Sequence, residues 1–203
     1  DSDLLIAINA GRNRISIDTG CLRQLQTVYF PQGIETYTLG SVFGVSVVAG
    51  GTGYSNSFSV TFSGGGGSGA AATATAVSGV VKSVTMTNNG SGYTSMPSVS
   101  FSSGGGSGAT GTAGGLTTYT ADILNITVIW GQMRVPLFYK AFTQFNAENR
   151  AWVTNQSRPG IWTKYGDSLG AFYIQPVPDQ IYTAEIDTVI LPNPIVDGTT
   201  VEH

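Results

Sequence analysis

The chain has 203 residues, only 10% of them charged, against roughly a quarter in ordinary soluble domains, so much of its surface must be neutral or covered by neighbours. Its formal net charge of −3 excludes a domain-wide basic footprint for nucleic acid. Cys21 is the single cysteine, which excludes a disulfide framework or a cysteine-rich metal site within one chain and reads as a buried free thiol.

Residues 2 to 19 read as a helix, with Leu4, Leu5, Ile8 and Ile15 near one stripe and Asp3, Arg12, Asn13 and Asp18 towards the other side. Ser2 or Asp1 is placed to cap it and Gly20 to end it, while Gly11 weakens the pattern. No apolar run reaches the roughly 18 residues of a membrane span, and the amino terminus lacks the charged-then-apolar form of a signal peptide. The start at Asp1 without Met is read as trimming or processing. From 26 to 39, Val28, Tyr29, Phe30, Tyr37 and Leu39 surround Pro31-Gln32-Gly33, the pattern of a hairpin.

Composition changes abruptly between 41 and 115, where Lys82 is the only charged residue. This segment is a duplication at an offset of 39: Gly51-Thr52-Gly53-Tyr54 returns as Gly90-Ser91-Gly92-Tyr93, and Gly65 to Ala70 returns as Gly104 to Ala109. Each copy offers a strand (45 to 48; 83 to 87), the Gly-x-Gly-Tyr turn, a second strand (58 to 63; 98 to 102), the glycine run, and an Ala/Thr strand (71 to 77; 110 to 113). Six short strands suffice for a small sandwich or barrel-like unit. Tyr54 and Tyr93 would cap its core with wet hydroxyls, which makes them the candidate surface of the module.

Ordinary composition then resumes. Residues 123 to 130 and 133 to 135 read as strands across Gly131-Gln132, and Pro136 opens a helix to about Trp152 with Phe138, Ala141, Phe142 and Phe145 on one face. Residues 171 to 176 and 181 to 191 read as a hairpin across Pro178-Asp179. The fold expected is therefore α+β: a small helical body with β-hairpins (1–40 plus 116–191), interrupted by an all-β, sandwich-like inserted module (41–115), with an extended tail (192–203).

Catalytic chemistry finds little support. The run Gly64 to Ala70 lacks the Lys-Ser/Thr of a phosphate-binding loop and reads as a flexible loop or turn. His203, the only histidine, lies at the very end, so a catalytic triad or a zinc site with histidine ligands is not expected. Glu148, Glu185 and Asp187 could in principle supply a carboxylate pair for a cell-wall-cutting enzyme, but Glu185 and Asp187 share the polar face of a predicted strand and read as solvated. Trp152, Trp162 and Tyr165 are either interface anchors or loop residues folding back on the core. Arg12, Arg14 and Arg23 cluster in the first helical region and read as a solvated face or a DNA-facing or subunit-bridging set.

Several segments carry a resemblance: Ile8-Asn9-Ala10-Gly11-Arg12-Asn13-Arg14, Thr19-Gly20-Cys21-Leu22-Arg23, Tyr37-Thr38-Leu39, Arg134-Val135-Pro136-Leu137, the stretch from Trp162 to Gly166, and the stretch from Phe172 to Tyr182. In this order they resemble the head-to-tail adaptor (connector) proteins of tailed bacteriophages, particularly short-tailed ones, and glycine-rich modules of this type recur in phage virion proteins. The resemblance implies a non-enzymatic virion protein of the neck, assembled in the host cytoplasm as a ring of identical subunits, usually twelve. Such a ring docks on a portal protein, meets a tail, nozzle or hub protein, and lets genomic DNA pass without sequence-specific binding; it needs no cofactor or metal and no membrane. Candidate ring or portal contacts are then Arg12, Arg14, Arg23, Trp162, Tyr165, Ile195, Val196 and Asp197, with the arginines meeting the acidic end at Asp197 and Glu202 of a neighbour. The alternative is a tail or fibre protein whose β module binds host glycan or another tail component.

Overall fold

The computed structural model describes residues 2–148, 156–164 and 170–196. Of these, 56% are in strands and 15% in helices, arranged in three sheets. This corrects the expected α+β helical body: the body is a β-sandwich, and the one long helix lies outside its core. Helix α1 (Ser2–Thr19) leads into β1 (Arg23–Phe30) and β2 (Thr36–Thr38). The repeat supplies β3 (Ser41–Thr52), β4 (Ser57–Ser63), β5 (Ser68–Val77), β6 (Val80–Ser91), β7 (Ser98–Ser100) and β8 (Ser107–Leu116). The chain then forms β9 (Thr120–Trp130), β10 (Met133–Pro136), β11 (Phe138–Tyr139), α2 (Phe142–Glu148), β12 (Ile161–Lys164), β13 (Ala171–Gln175) and β14 (Tyr182–Ile190).

The body comprises one sheet in the order β1-β14-β9-β10 and another in the order β11-β12-β13-β2. Alternation along the strands fills the space between them. Val28 and Phe30, Ile126 and Val128, and Tyr182, Ala184 and Ile186 come from the first sheet; Tyr37, Trp162, Phe172 and Ile174 come from the second. Phe30, Tyr37 and Phe172 bring their rings within 4.8 to 6.2 Å of one another, the offset and edge contacts aromatic quadrupoles favour. Burial in this core raises the Tyr37 hydroxyl well above its ordinary pKa, with Glu35 adding to the shift, and the hydroxyl donates to Ile34 O at 2.8 Å.

Two predicted hairpins are sheet crossings instead. β1 pairs with β14 and β2 with β13, so the turn at Pro31-Gln32-Gly33 carries the chain from one sheet to the other. The turn at Pro178-Asp179 does the same between β13 and β14. The β9–β10 hairpin across Gly131-Gln132 forms as read. The helix from 136 to 152 does not: Phe138 is exposed on β11, parallel to β12, and helix begins only at Phe142. Of its predicted face, Phe145 is buried. Leu137 is also buried, and its N–H bonds Ile126 O at 2.8 Å, so strand pairing wins over helical periodicity there.

The duplicated segment forms a single nearly closed, barrel-like sheet in the order β3-β8-β7-β4-β5-β6. The two copies do not fold side by side. The first strand of each copy pairs with the last strand of the other, β3 with β8 and β6 with β5, while the middle strands β4 and β7 pair across the centre. Exchanging the copies reproduces the same strand order, so the barrel has internal two-fold symmetry. β3 and β6 also lie against each other, nearly closing the ring of strands. Val45, Phe58, Val60, Val81, Val84 and Phe101 fill the interior together with Ala72, Ala74 and Ala76 of β5, whose small side chains suit the narrow space inside so few strands.

The symmetry extends to single bonds. Tyr54 N–H donates to Gly79 O at 3.1 Å and Tyr93 N–H to Gly40 O at 3.0 Å. Ser55 N–H donates to Gly104 O at 3.0 Å and Thr94 N–H to Gly65 O at 2.9 Å. The glycine runs are therefore fixed parts of the barrel. A Cβ on Gly106 would stand 2.6 Å from Tyr54 Cγ, and one on Gly67 2.6 Å from Tyr93 Cγ, so each copy's glycine run clamps the other copy's tyrosine where no side chain fits.

Candidate assembly surface

Helix α1 inverts the arrangement its sequence predicts. Leu4, Ile6, Ile8, Ile15 and Ile17 are 40% to 66% exposed, and its one buried residue is Ser16. It is held to its own chain by polar groups. Asn9 clasps the backbone of Ile195, donating from Nδ2 to its carbonyl and accepting from its N–H, each at 2.9 Å. Arg12 donates to Asn193 O at 3.0 Å, and Ser16 Oγ to Ile190 O at 2.7 Å. The segment after β14 thus runs along the polar side of α1 in the same chain.

The three arginines expected to bridge subunits each contact residues of their own chain. Arg23 is ion-paired with Asp187 on the neighbouring strand, and that hydrogen bond raises its already high pKa. Arg14 pairs with Asp18 one turn on, at 3.5 Å. Arg12 is occupied by Asn193 and Asn9. All three arginines therefore have partners within the chain. Trp162 is buried in the sandwich core, beside Tyr139 at 5.0 Å, and is no interface anchor. Ile195 is half-buried and Val196 exposed; Tyr165, Asp197, Glu202, Trp152 and His203 lie outside the described residues, as does the side chain of Glu148.

Tyr54 and Tyr93 are buried, which removes them as an exposed binding surface. The Tyr54 hydroxyl accepts the Ala109 N–H at 3.1 Å. Cys21 is exposed, not buried, because it sits in the link between α1 and β1. Glu185 pairs with Arg134 as Asp187 does with Arg23, so the two carboxylates on this face each hold a cation.

A cleft of about 630 Å³ opens between the end of α1 and the first sheet, lined by Ile17, Asp18, Arg23, Asp122, Leu124, Tyr139 and Lys164 among others. Its cations are engaged, Arg23 with Asp187 and Lys164 with Asp122. Among the described residues no three His, Cys, Asp or Glu side chains gather to hold a metal ion, and no helix is long and apolar enough to cross a membrane.

Large apolar side chains are exposed on the body as well. Trp130 and Met133, flanking the β9–β10 turn, are exposed together with Phe138 and Tyr139 on β11, with the Arg158 guanidinium 4.4 Å from the Trp130 ring centre. β10 and β11 are the outer strands of their sheets. The density of large apolar residues between 128 and 139 was the available signal, but it reads equally well as core. No family profile, no curated protein sequence and no solved structure matches the chain.

Proposed function

We propose that this chain is a structural subunit of a bacteriophage virion, closing with copies of itself into a ring at the head-to-tail junction, docked on the portal protein and extending the DNA channel towards the tail. The observation that carries the reading is α1, fastened to its own body by Asn9, Arg12 and Ser16 while large aliphatic side chains face solvent. Fully burying such a side chain is worth about 1.5–3 kcal/mol, so α1 in an isolated subunit forgoes stabilisation that a neighbour restores. The low charge content agrees, since ring contacts hide part of every subunit. The neck location rests on the sequence segments quoted above. It does not rest on the fold, because the sandwich departs from the helical body first expected.

The test is native mass spectrometry and negative-stain microscopy of the purified chain, alone and with a portal protein. Closed oligomers that attach to one end of the portal are the expected result. A chain that stays monomeric at tens of micromolar and ignores the portal would overturn the reading.

A further inference from the structure

The four sides of α1 differ, and their order around the helix specifies how it packs. At about 100° per residue, Leu4, Ile8 and Ile15 fall within about 40° of one another, while Ile6 and Ile17 form a second stripe roughly 180° away. Asn9, Arg12 and Ser16, which bind the chain's own residues 190–195, lie between the stripes on one side. Asp3, Ala7, Arg14 and Asp18 occupy the remaining side, where Arg14 and Asp18 pair with each other.

From this order we infer that the α1 helices of neighbouring copies stand side by side like staves, with the Leu4/Ile8/Ile15 flank of one against the Ile6/Ile17 flank of the next. The inference deepens the ring proposal and rests on it. A two-fold dimer would join one flank to its own copy and leave the opposite flank in water. Two unlike flanks on opposite sides of one helix instead make a heterologous contact, the kind that closes into a ring. The body then sits behind each stave on the Asn9 side, and Asp3 and Arg14 lie on the side away from it.

Area limits what the staves do alone. Five large aliphatic side chains about half exposed leave on the order of 500 Å² of apolar surface, about a third of the roughly 1,600 Å² in a standard interface. The remainder falls to the bodies, whose outer strands β10 and β11 present Met133, Phe138 and Tyr139.

The experiment is disulfide trapping in a Cys21→Ser background with Ile15→Cys and Ile17→Cys in the same chain, one cysteine per flank. Mild oxidation should produce a covalent ladder rising to the size of the native oligomer, while either cysteine alone gives no covalent dimer. Disulfide dimers from Ile15→Cys alone would show a two-fold contact and overturn the stave arrangement. An intact oligomer without a ladder would overturn it too, leaving the ring reading in place; a monomer by native mass spectrometry would remove both. As an independent arm, Ile17→Asp should dissociate the oligomer with helix content and thermal midpoint of the subunit unchanged, and an undisturbed oligomer would count against the flank contact.

Discussion

The two copies of the repeat share one strand plan yet differ where one of them meets the body. In the first copy β3 begins Ser41-Val42-Phe43, and Phe43 is buried in the sandwich core against Tyr37 at 5.0 Å. Its counterpart 39 residues on is Lys82, exposed to water. At the other strand of the junction, Gly114 and Leu116 stand where the first copy has Thr75 and Val77. Leu116 is fully buried and Val77 exposed, and a Cβ on Gly114 would come within 2.6 Å of the Tyr29 ring, whereas Thr75 faces solvent. The differences teach which end of a symmetric barrel is joined to the body. The junction to the body is one place where the copies part, beside interior differences such as buried Phe58 against Pro97 and Ala72 against Gly111.

Exchanging residues between copies tests this, beginning with the largest effect. Phe43→Lys, which puts the second copy's residue into the first, should cost at least the roughly 3–5 kcal/mol of emptying a Phe site, with the cost of burying an ammonium added. Lys82→Phe should stay within about 0.5 kcal/mol. Urea unfolding followed by tryptophan fluorescence measures both, and similar losses in the two variants would refute the junction assignment. Gly114→Thr drives a side chain into Tyr29 and should lose about 1–3 kcal/mol, against roughly 0.5 kcal/mol or less for Thr75→Ser, a control substitution at the exposed counterpart.

The interior should behave symmetrically. Gly67→Ala and Gly106→Ala each push a methyl into the clamped tyrosine of the other copy, and the same denaturation assay should show about 1–3 kcal/mol for both. A loss in one copy alone would mean that only one clamp bears on stability. A finer distinction follows from the hydroxyls. Tyr54→Phe gives up the bond from Ala109 N–H and should cost about 0.5–1.5 kcal/mol, whereas Tyr93 has no such bond among the described residues and Tyr93→Phe should cost less.

The smallest effect concerns pH. Tyr37, packed on Phe43, has its folded pKa raised above the unfolded value, chiefly by burial. Its neutral form is therefore the one folding favours. The contribution is complete below the unfolded pKa of about 10 and declines as pH rises past it, since the unfolded chain releases the proton first. Unfolding midpoints between pH 9 and about 11 should fall less steeply in Tyr37→Phe than in the parent, and identical slopes would exclude Tyr37 as a source of alkaline sensitivity.

Much of the strand content was legible because period-two alternation survives in single sequences: Tyr182, Ala184 and Ile186 face inward as their pattern required. Partners were not legible. Alternation names the buried face of β1 or β14 but not the sheet it joins, and a turn containing Pro-Gln-Gly serves a hairpin and a sheet crossing equally well. Of the predicted surface residues, Val196 is exposed, while the arginines are tied to Asp187, Asp18 and Asn193 by contacts no local spacing reveals.

By itself the sequence determined the duplication, the six strands it encodes, the scarcity of charge and the helix over 2–19. Register and composition carry these, and both are local. Only the tertiary structure decided that the copies interlock strand for strand, that the glycine runs close on Tyr54 and Tyr93, and that α1 turns its polar side inward. Each depends on which distant backbone comes within hydrogen-bonding reach. A helix with apolar residues on two opposite flanks has no single hydrophobic face to specify its own docking, so Asn9, Arg12 and Ser16 fix its orientation and the aliphatic flanks stay exposed.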